Sequence, residues 1–343
     1  MKILFDGRPL SESTPGGVTR VARGLLEACT QLREHTFFIA TTGLQRPATP
    51  THHLALPNKL INAGIASRFI SFDTLWKSSA YDISFFPNIG FIGAQSKPYL
   101  LVVHDVSFLI EPRWFKFKGR VWHDIIRATY LIQHAQHILS VSDHTTHDLI
   151  ERCAIPADRI TRIPLGLSPV PASLSPLPLE LIGRRFVLAL DASNLRKNIA
   201  CAREAVRLLR QHPHFQDVIL VTLGNAHATI TPNELALHHA DDSLLATLMR
   251  KASAFFYPSW YEGFGLPLHE AARFHTPCLA STYGALPETA PKNTIFLPPS
   301  KPHLWAEALE TVLEHPDRHK SSTTLKNWQP AAKILRQVFQ DLS

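Results

Sequence analysis

The sequence holds no apolar run near the ~18 residues that a membrane-crossing helix needs. Its opening, MKILFDGRPL, lacks the charged, apolar and small-residue zones of a secretory leader. A membrane-spanning or exported class is therefore not expected. Cysteine is scarce: Cys29, Cys153, Cys201 and Cys278 lie far apart with no C-x-x-C pair. That spacing argues against a disulfide scaffold or zinc ribbon and for reduced, buried thiols in a cytoplasmic protein. No Lys/Arg tract accompanies the net charge of +7, so phosphates or an anionic surface are better partners than nucleic acid. No D-x-D pair is present to present a divalent ion, and no short-period repeat suggests a solenoid.

What is present is ordinary globular material: 343 residues, 45% hydrophobic and 18% charged, enough for two domains. The 19 histidines include His134 with His137, and His238–His239 beside Asp241. Neither group has the ligand spacing of a known metal motif, so structural or surface histidines are expected and no metal site.

Short apolar runs alternate with helical patterns. KILF, TFFIA, DISFF, YLLVV and HILSV read as strands, with GVTRVARGLLEACTQL as the first amphipathic helix. Uninterrupted apolar strands between helices predict βαβ units and a parallel sheet buried on both faces. The stretch LSPVPASLSPLPLELIG, residues 167–183, is too rich in proline for a helix or a central strand. It is read as a linker between domains 1–166 and 184–325. Beyond it the alternation restarts with FVLAL, KNIACAREAVRLLRQ, DVILVTL, DSLLATLMRKA and AFFY. PCLAS and TIFL follow, then two helices, the last within 326–343 and expected to pack back on the N-terminal domain. Parallel α/β sheets bind ligands beyond the carboxyl ends of their strands, so motifs at strand ends are the site candidates.

The richest of these is EGFGLPLHE, directly after AFFYPSWY. Gly263 and Gly265 permit a tight turn, and Pro267 suits a first helical turn. The amides of Phe264, Gly265 and Leu266 then stand at a helix start, where anions bind. Glu262 precedes the turn and Glu270 lies about one helical turn into it. Carboxylates that accept from paired hydroxyls serve sugar recognition; a lone glutamate here would more simply offset the helix dipole. Gly16-Gly17 places backbone donors at another helix start, although a plain turn explains two glycines as well. His104-Asp105 ends the strand YLLVV; in isolation it fits a structural histidine.

Taken together, these strings resemble the glycosyltransferase family 4 enzymes of the GT-B fold. EGFGLPLHE matches their E-x7-E signature, with Glu262 and Glu270 in its two glutamate positions. PGGVTRVARGLLEA, VVHDVSFLIEPRWF, SVSDHTTHDLIER, LRKNIACAREAVRLL and ASTYGALPE extend the likeness over nearly the whole chain. The resemblance implies two Rossmann-like domains about a central cleft, acceptor-side in 1–166 and nucleotide-sugar-binding in 184–325. It implies that Glu262 meets donor sugar hydroxyls and Glu270 the ribose. It implies too that Phe264, Gly265 and Leu266, with Gly16 and Gly17, meet sugar and phosphates. Lys197 aligns with the family's diphosphate-binding lysine, and His104 with a donor-sugar contact. The strand before that lysine ends in Asp191-Ala192 where the family carries Gly-Arg or Gly-Thr, so Arg196 is the candidate arginine.

The activity so implied is retaining transfer of a hexose from a nucleotide diphosphate sugar, without metal or cofactor. MKILFDGRPL and SFLIEPRWF resemble bacterial mannosyltransferases of polysaccharide or O-antigen assembly. GDP-mannose is thus the first donor, with a glycan or lipid-linked glycan as acceptor and lipopolysaccharide as a setting. The string 115–133, FKFKGRVWHDIIRATYLIQ, fits equally a sheet-packed helix and one lying on the anionic cytoplasmic membrane face. Two rivals remain. A sugar-nucleotide-binding protein without turnover would account for Asp191-Ala192. A nicotinamide dehydrogenase is opposed by the lack of G-x-G-x-x-G after either domain's first strand.

Overall fold

The structure, a computed structural model, describes residues 1–11, 16–44, 52–76, 80–224 and 233–343. Pro15 of the PGG string lies outside the described residues. The chain divides into two compact units: Met1–Pro112, Lys116–Ser168 and Lys326–Ser343 form the first, Arg113–Phe115 and Pro169–Leu325 the second.

The first unit is built on seven parallel strands: β1 (Lys2–Asp6), β2 (Thr36–Thr42), β3 (His52–Leu54), β4 (Ile83–Phe86), β5 (Tyr99–Val103), β6 (His137–Ser140) and β7 (Ile160–Arg162). Their order is β3-β2-β1-β4-β5-β6-β7. Every residue of β4 and of β5 is buried, which is why these segments are continuous apolar runs rather than alternating ones. Among the described residues up to Ser168, the α-helices are α1 (Gly17–Thr30), α2 (Asn58–Ala66), α3 (Phe72–Leu75), α4 (Ser107–Ile110), α5 (Phe117–Ile126), α6 (Ala128–His134) and α7 (Asp143–Cys153).

The second unit has β8 (Phe186–Leu190), β9 (Ile219–Leu223), β10 (Glu234–Leu237), β11 (Ala254–Tyr257), β12 (Cys278–Ser281) and β13 (Ile295–Leu297), in the order β10-β9-β8-β11-β12-β13. Its helices are α8 (Ile199–Leu209), α9 (Asp242–Lys251), α10 (Leu266–Ala272), α11 (Leu286–Thr289) and α12 (Pro302–Glu314). The strand period of two splits its core. Phe186, Leu188, Phe255 and Tyr257 face one side with α9 and α10. Val187, Ala189, Ala254 and Phe256 face the other with α8 and α12.

The last helix, α13 (Gln329–Asp341), belongs to the first unit. Gly24 of α1 makes room for it: a Cβ there would lie 1.8 Å from the ring of Trp328, which is 1% exposed. Phe339 then packs edge-on against Phe37 and Phe85.

Both sheets are parallel α/β, the class predicted from the apolar runs. Three strands escape that reading, β3, β7 and β10. All lie at sheet edges and have only three or four residues, too few to carry a periodic signal. The 115–133 string is not one helix. Arg127, at φ 54°, ends α5 and starts α6 in the left-handed region. Of residues 167–183, read as linker, 169–183 group with the second unit. Ser175 donates its amide to Ser243 Oγ at 2.7 Å and accepts from Thr247 Oγ1 at 2.6 Å, and Leu181 is buried. The four cysteines are free and buried. Burial pushes the Cys201 and Cys278 thiols up to about 12, well away from the reactive thiolate.

Candidate active site

In the second unit the turn after β8 is welded to the turn after β11. Asp191, at φ 59°, takes the left-handed conformation that aspartate tolerates better than most side chains. Its carboxylate accepts from Ser193 and Asn194. Asn194 in turn accepts the Arg196 amide at 3.1 Å and caps the short 3-10 turn Leu195–Lys197. Asn198 Nδ2 donates to the carbonyls of Pro258 (3.1 Å) and Pro299 (2.9 Å). Trp260 donates its amide to the Arg196 carbonyl at 2.8 Å.

This weld brings three charges together. Lys197 Nζ lies 2.7 Å from Glu262 Oε1, and Arg196 Nη1 lies 3.0 Å from Oε2. Lys197 also donates to the Tyr257 hydroxyl at 2.8 Å, with its ammonium 4.7 Å from that ring's centroid. Arg196 donates as well to the Tyr261 carbonyl. Glu262 is 6% exposed. Burial pulls its pKa upward, but the charges of Arg196 and Lys197 outweigh that and hold it down at about 2. Burial, and next the Glu262 charge, push the Tyr257 phenol well above its usual value, so it stays neutral. One buried carboxylate thus holds two cations in place at the turn. Cations so held neutralise charge that develops on a nearby phosphate.

The backbone of Glu262 is clamped from the other side. Ala285 donates its amide to the Glu262 carbonyl at 2.8 Å. Gly284 sits at φ 65°, and a Cβ on it would lie 2.7 Å from both N and O of Glu262. Glycine is required there twice over, by conformation and by space. Behind the turn, His269 Nδ1 lies 2.7 Å from Thr323 Oγ1 and its Nε2 lies 2.6 Å from the Thr289 carbonyl. Burial lowers the pKa of that imidazole. Thr289 donates in turn to the carbonyls of Phe264 and Ala285.

Gly263 is buried and Phe264 half-buried, and Gly265, at φ 91°, is the N-cap of α10 with Leu266 its first residue. Glu270 is half-buried on the same helix, close enough to Arg273 to favour its charge. Glu262, Arg196 and Lys197 are thus one cluster, and Glu270 stands a turn away along α10. Trp114, from the short segment that groups with this unit, stacks on Tyr261 with centroids 6.3 Å apart.

The other candidates lie in the first unit. Gly16 caps α1 and Gly17 opens it; both are exposed, and a Cβ on either would meet nothing within 4 Å. His104 Nε2 lies 2.9 Å from the Pro87 carbonyl, bracing the ends of β5 and β4, and burial lowers its pKa. Asp105 Oδ1 accepts the Ser107 amide at 2.9 Å and orders the start of α4. Sequence reading missed Tyr257, Asn194, Asn198 and Gly284. The one signal for Tyr257 is a polar-tipped aromatic closing an otherwise apolar strand.

Two family models match the chain: Glycosyltransferase Family 4 over residues 15–169 and Glycosyl transferases group 1 over residues 182–332. The chain is similar to the O-antigen chain mannosyltransferase B of Escherichia coli, 30% identical over 207 residues, covering 54% of this chain and 53% of that protein. It is 26% identical over 219 residues to the MMP alpha-(1->4)-mannosyltransferase of Mycolicibacterium hassiacum, covering 57% and 51%. The chain therefore spans about half the length of the curated relatives it matches. Sucrose-phosphate synthase from Thermosynechococcus elongatus has the same fold, with TM-score 0.73, 17% identity, and coverage of 100% of this chain and 99% of that one.

Proposed function

We infer the activity from the family: the chain belongs to the glycosyltransferases, family 4 in its N-terminal half and group 1 in its C-terminal half, with the two parallel-sheet units of the GT-B fold. It transfers a hexose from a nucleotide diphosphate sugar to a hydroxyl of a glycan or lipid-linked glycan, with retention at the anomeric carbon. Mannose from GDP-mannose is the first donor, in O-antigen or related polysaccharide assembly; the names of the mannosyltransferase relatives support that choice. The observation that carries the reading is the buried Arg196–Lys197–Glu262 cluster beside the Gly263–Gly265 turn.

The bond between the anomeric carbon and the β-phosphate oxygen breaks with its electron pair going to the phosphate. The acceptor oxygen bonds to that carbon on the same face, and the acceptor's proton leaves on the phosphate. Lys197 and Arg196 stabilise that charge where a divalent ion otherwise would. Glu262 holds the two cations and orients sugar hydroxyls, and Glu270 accepts from the ribose. The amides of Phe264, Gly265 and Leu266 meet the phosphates. The test is a panel of nucleotide sugars, with NADH and NADPH, read by thermal unfolding and by nucleotide release. GDP-mannose at 100 times its Kd should stabilise the fold by about 2.7 kcal/mol. A shift with nicotinamide cofactors alone would overturn the reading. A shift with GDP-mannose but no release to any acceptor would identify a binding protein without turnover.

Association with the cytoplasmic membrane face is favoured by one local feature. Phe117 is 72% exposed between the exposed Lys116 and Lys118, with exposed Arg120 a turn further on. These cations open α5, where the helix dipole disfavours them, so an anionic surface would compensate. Among the described residues no helix is long and apolar enough to cross a membrane. Charge reversal at Lys116 and Lys118 should cost at least about 2 kcal/mol of binding to phosphatidylserine vesicles, at roughly 1 kcal/mol per basic residue. Equal sedimentation of wild type and variant with such vesicles would exclude this patch.

A further inference from the structure

α11 (Leu286–Thr289) is a single helical turn, too short to hold its shape alone, so its place is set by what it touches. It meets the Glu262–Gly265 turn at three points. The Ala285 amide, just before it, donates to the Glu262 carbonyl at 2.8 Å. The hydroxyl of Thr289, its last residue, donates to the Phe264 carbonyl. The Leu286 side chain packs so closely on Gly265 that a Cβ there would lie 2.6 Å from it. The path of the turn, and the aim of its amides, is therefore set from α11.

α11 is in turn held by His269. The Thr289 carbonyl stands at the end of the helix, where no later helical amide reaches it. His269 Nε2 lies 2.6 Å from that carbonyl, and a carbonyl only accepts, so Nε2 carries the proton. Burial lowers the pKa of this ring, which is 4% exposed, and keeps it neutral. Nδ1 is then bare and accepts from the Thr323 hydroxyl at 2.7 Å. The same hydroxyl oxygen accepts the Leu325 amide at 3.1 Å. Its segment is pinned by the bridge between Ser322 and Lys292, and by the Cys278 amide of β12, which donates to Ser321 Oγ at 3.0 Å. The imidazole also stacks on the Phe264 ring, with centroids 5.6 Å apart and planes 28° from parallel. Filling core space asks no particular tautomer of a side chain. Here both ring nitrogens are engaged, one on a pinned segment and one on the support of the turn.

We propose that His269 is a positioning residue for the donor's diphosphate: through the Thr289 carbonyl it keeps α11 in place, and with it the Phe264, Gly265 and Leu266 amides that receive the phosphates. The proposal rests on the nucleotide-sugar reading of this turn and goes beyond it by naming what keeps the amides aimed. Donors fixed in advance bind without an ordering cost, and that advantage is lost when their support is cut.

The test is isothermal titration of the full chain with GDP, UDP and ADP and with the matching monophosphates. The ratio of monophosphate to diphosphate Kd, for the nucleoside that binds best, separates the second phosphate from base and ribose. His269→Gln places an amide N–H where Nε2 stands and gives up only the Phe264 stack; its ratio should stay within about threefold of wild type. His269→Asn places its carboxamide where Nδ1 stands, so it keeps Thr323 and loses the Thr289 carbonyl; its ratio should fall by about tenfold or more. Thr289→Val keeps shape and carbonyl but cuts the hydroxyl bond to Phe264, and should fall as far; it carries the test should His269→Asn not fold. The double variant should fall less than about threefold below either single one, because both cut one chain of contacts. Equal ratios in the Asn and Gln variants, a wild-type ratio in Thr289→Val, or fully additive losses would each overturn the proposal. Wild type that binds no diphosphate more tightly than its monophosphate would instead overturn the nucleotide-sugar reading, and the proposal with it.

Discussion

Lys197→Ala lowers the rate of nucleotide release by about 10²–10³-fold, the loss expected when one preorganised charge is removed from a developing anion. The ammonium is oriented by Glu262 Oε1 at 2.7 Å and Tyr257 OH at 2.8 Å, so it is in place before the donor's charge appears. An interaction of that kind grows as the phosphate departs, so the loss falls on kcat more than on KM. Arg196 still pairs with Glu262 in the variant, and the fold should survive. Lys197→Arg should rescue little, because a planar fork cannot reproduce a point charge held between a carboxylate and a phenol. Steady-state kinetics with saturating donor, beside a melting curve, checks this; release within threefold of wild type would remove Lys197 from the chemistry.

Glu262→Ala has the larger effect on stability. It leaves two cations facing each other in a site where their side chains are only 12–13% exposed. Removing one partner of a buried ion group costs about 3–5 kcal/mol. The wild type should show the same interaction through pH. The folded Glu262 titrates at about 2 against an ordinary value of 4.5. A depressed acid stabilises the fold fully above its unfolded value and loses that contribution as pH falls toward the folded one. About 3 kcal/mol should therefore disappear between pH 4.5 and 2. Urea midpoints across that range should fall steeply for wild type and less for Glu262→Gln. Parallel pH profiles for the two would show that the carboxylate is not held by its cations.

The central strands were legible because burial on both faces demands uninterrupted apolar residues, as YLLVV of β5 shows. Edge strands such as β3, HHL, face water and neighbours unequally, and nothing in three mixed residues announces them. The string EGFGLPLHE could be read as a strand–turn–helix junction from its glycines and proline alone. What holds it could not. Arg196 and Lys197 stand some 65 residues from Glu262 in the chain, and only the parallel pairing of β8 with β11 sets their turns side by side. Sequence reasoning aimed Glu262 at sugar hydroxyls. In the structure both of its oxygens are held by the two cations, so any sugar contact is shared with them. Gly284 escaped sequence reading because its constraint is the Glu262 backbone, absent from local sequence. Asp191 in place of the family's glycine raised the reading of a protein without turnover; the structure puts it in a left-handed turn, with Ser193 and Asn194 donating to the carboxylate.

The seat of α13 on α1 has a consequence for biosynthesis. Translation delivers Met1–Ser168, all of it first unit except Arg113–Phe115, then Pro169–Leu325 of the second unit, and only afterwards the helix that covers Gly24 and Phe37. The nascent N-terminal unit must wait with that apolar flank uncovered while its younger neighbour emerges from the ribosome, a period in which chaperones would find something to grip.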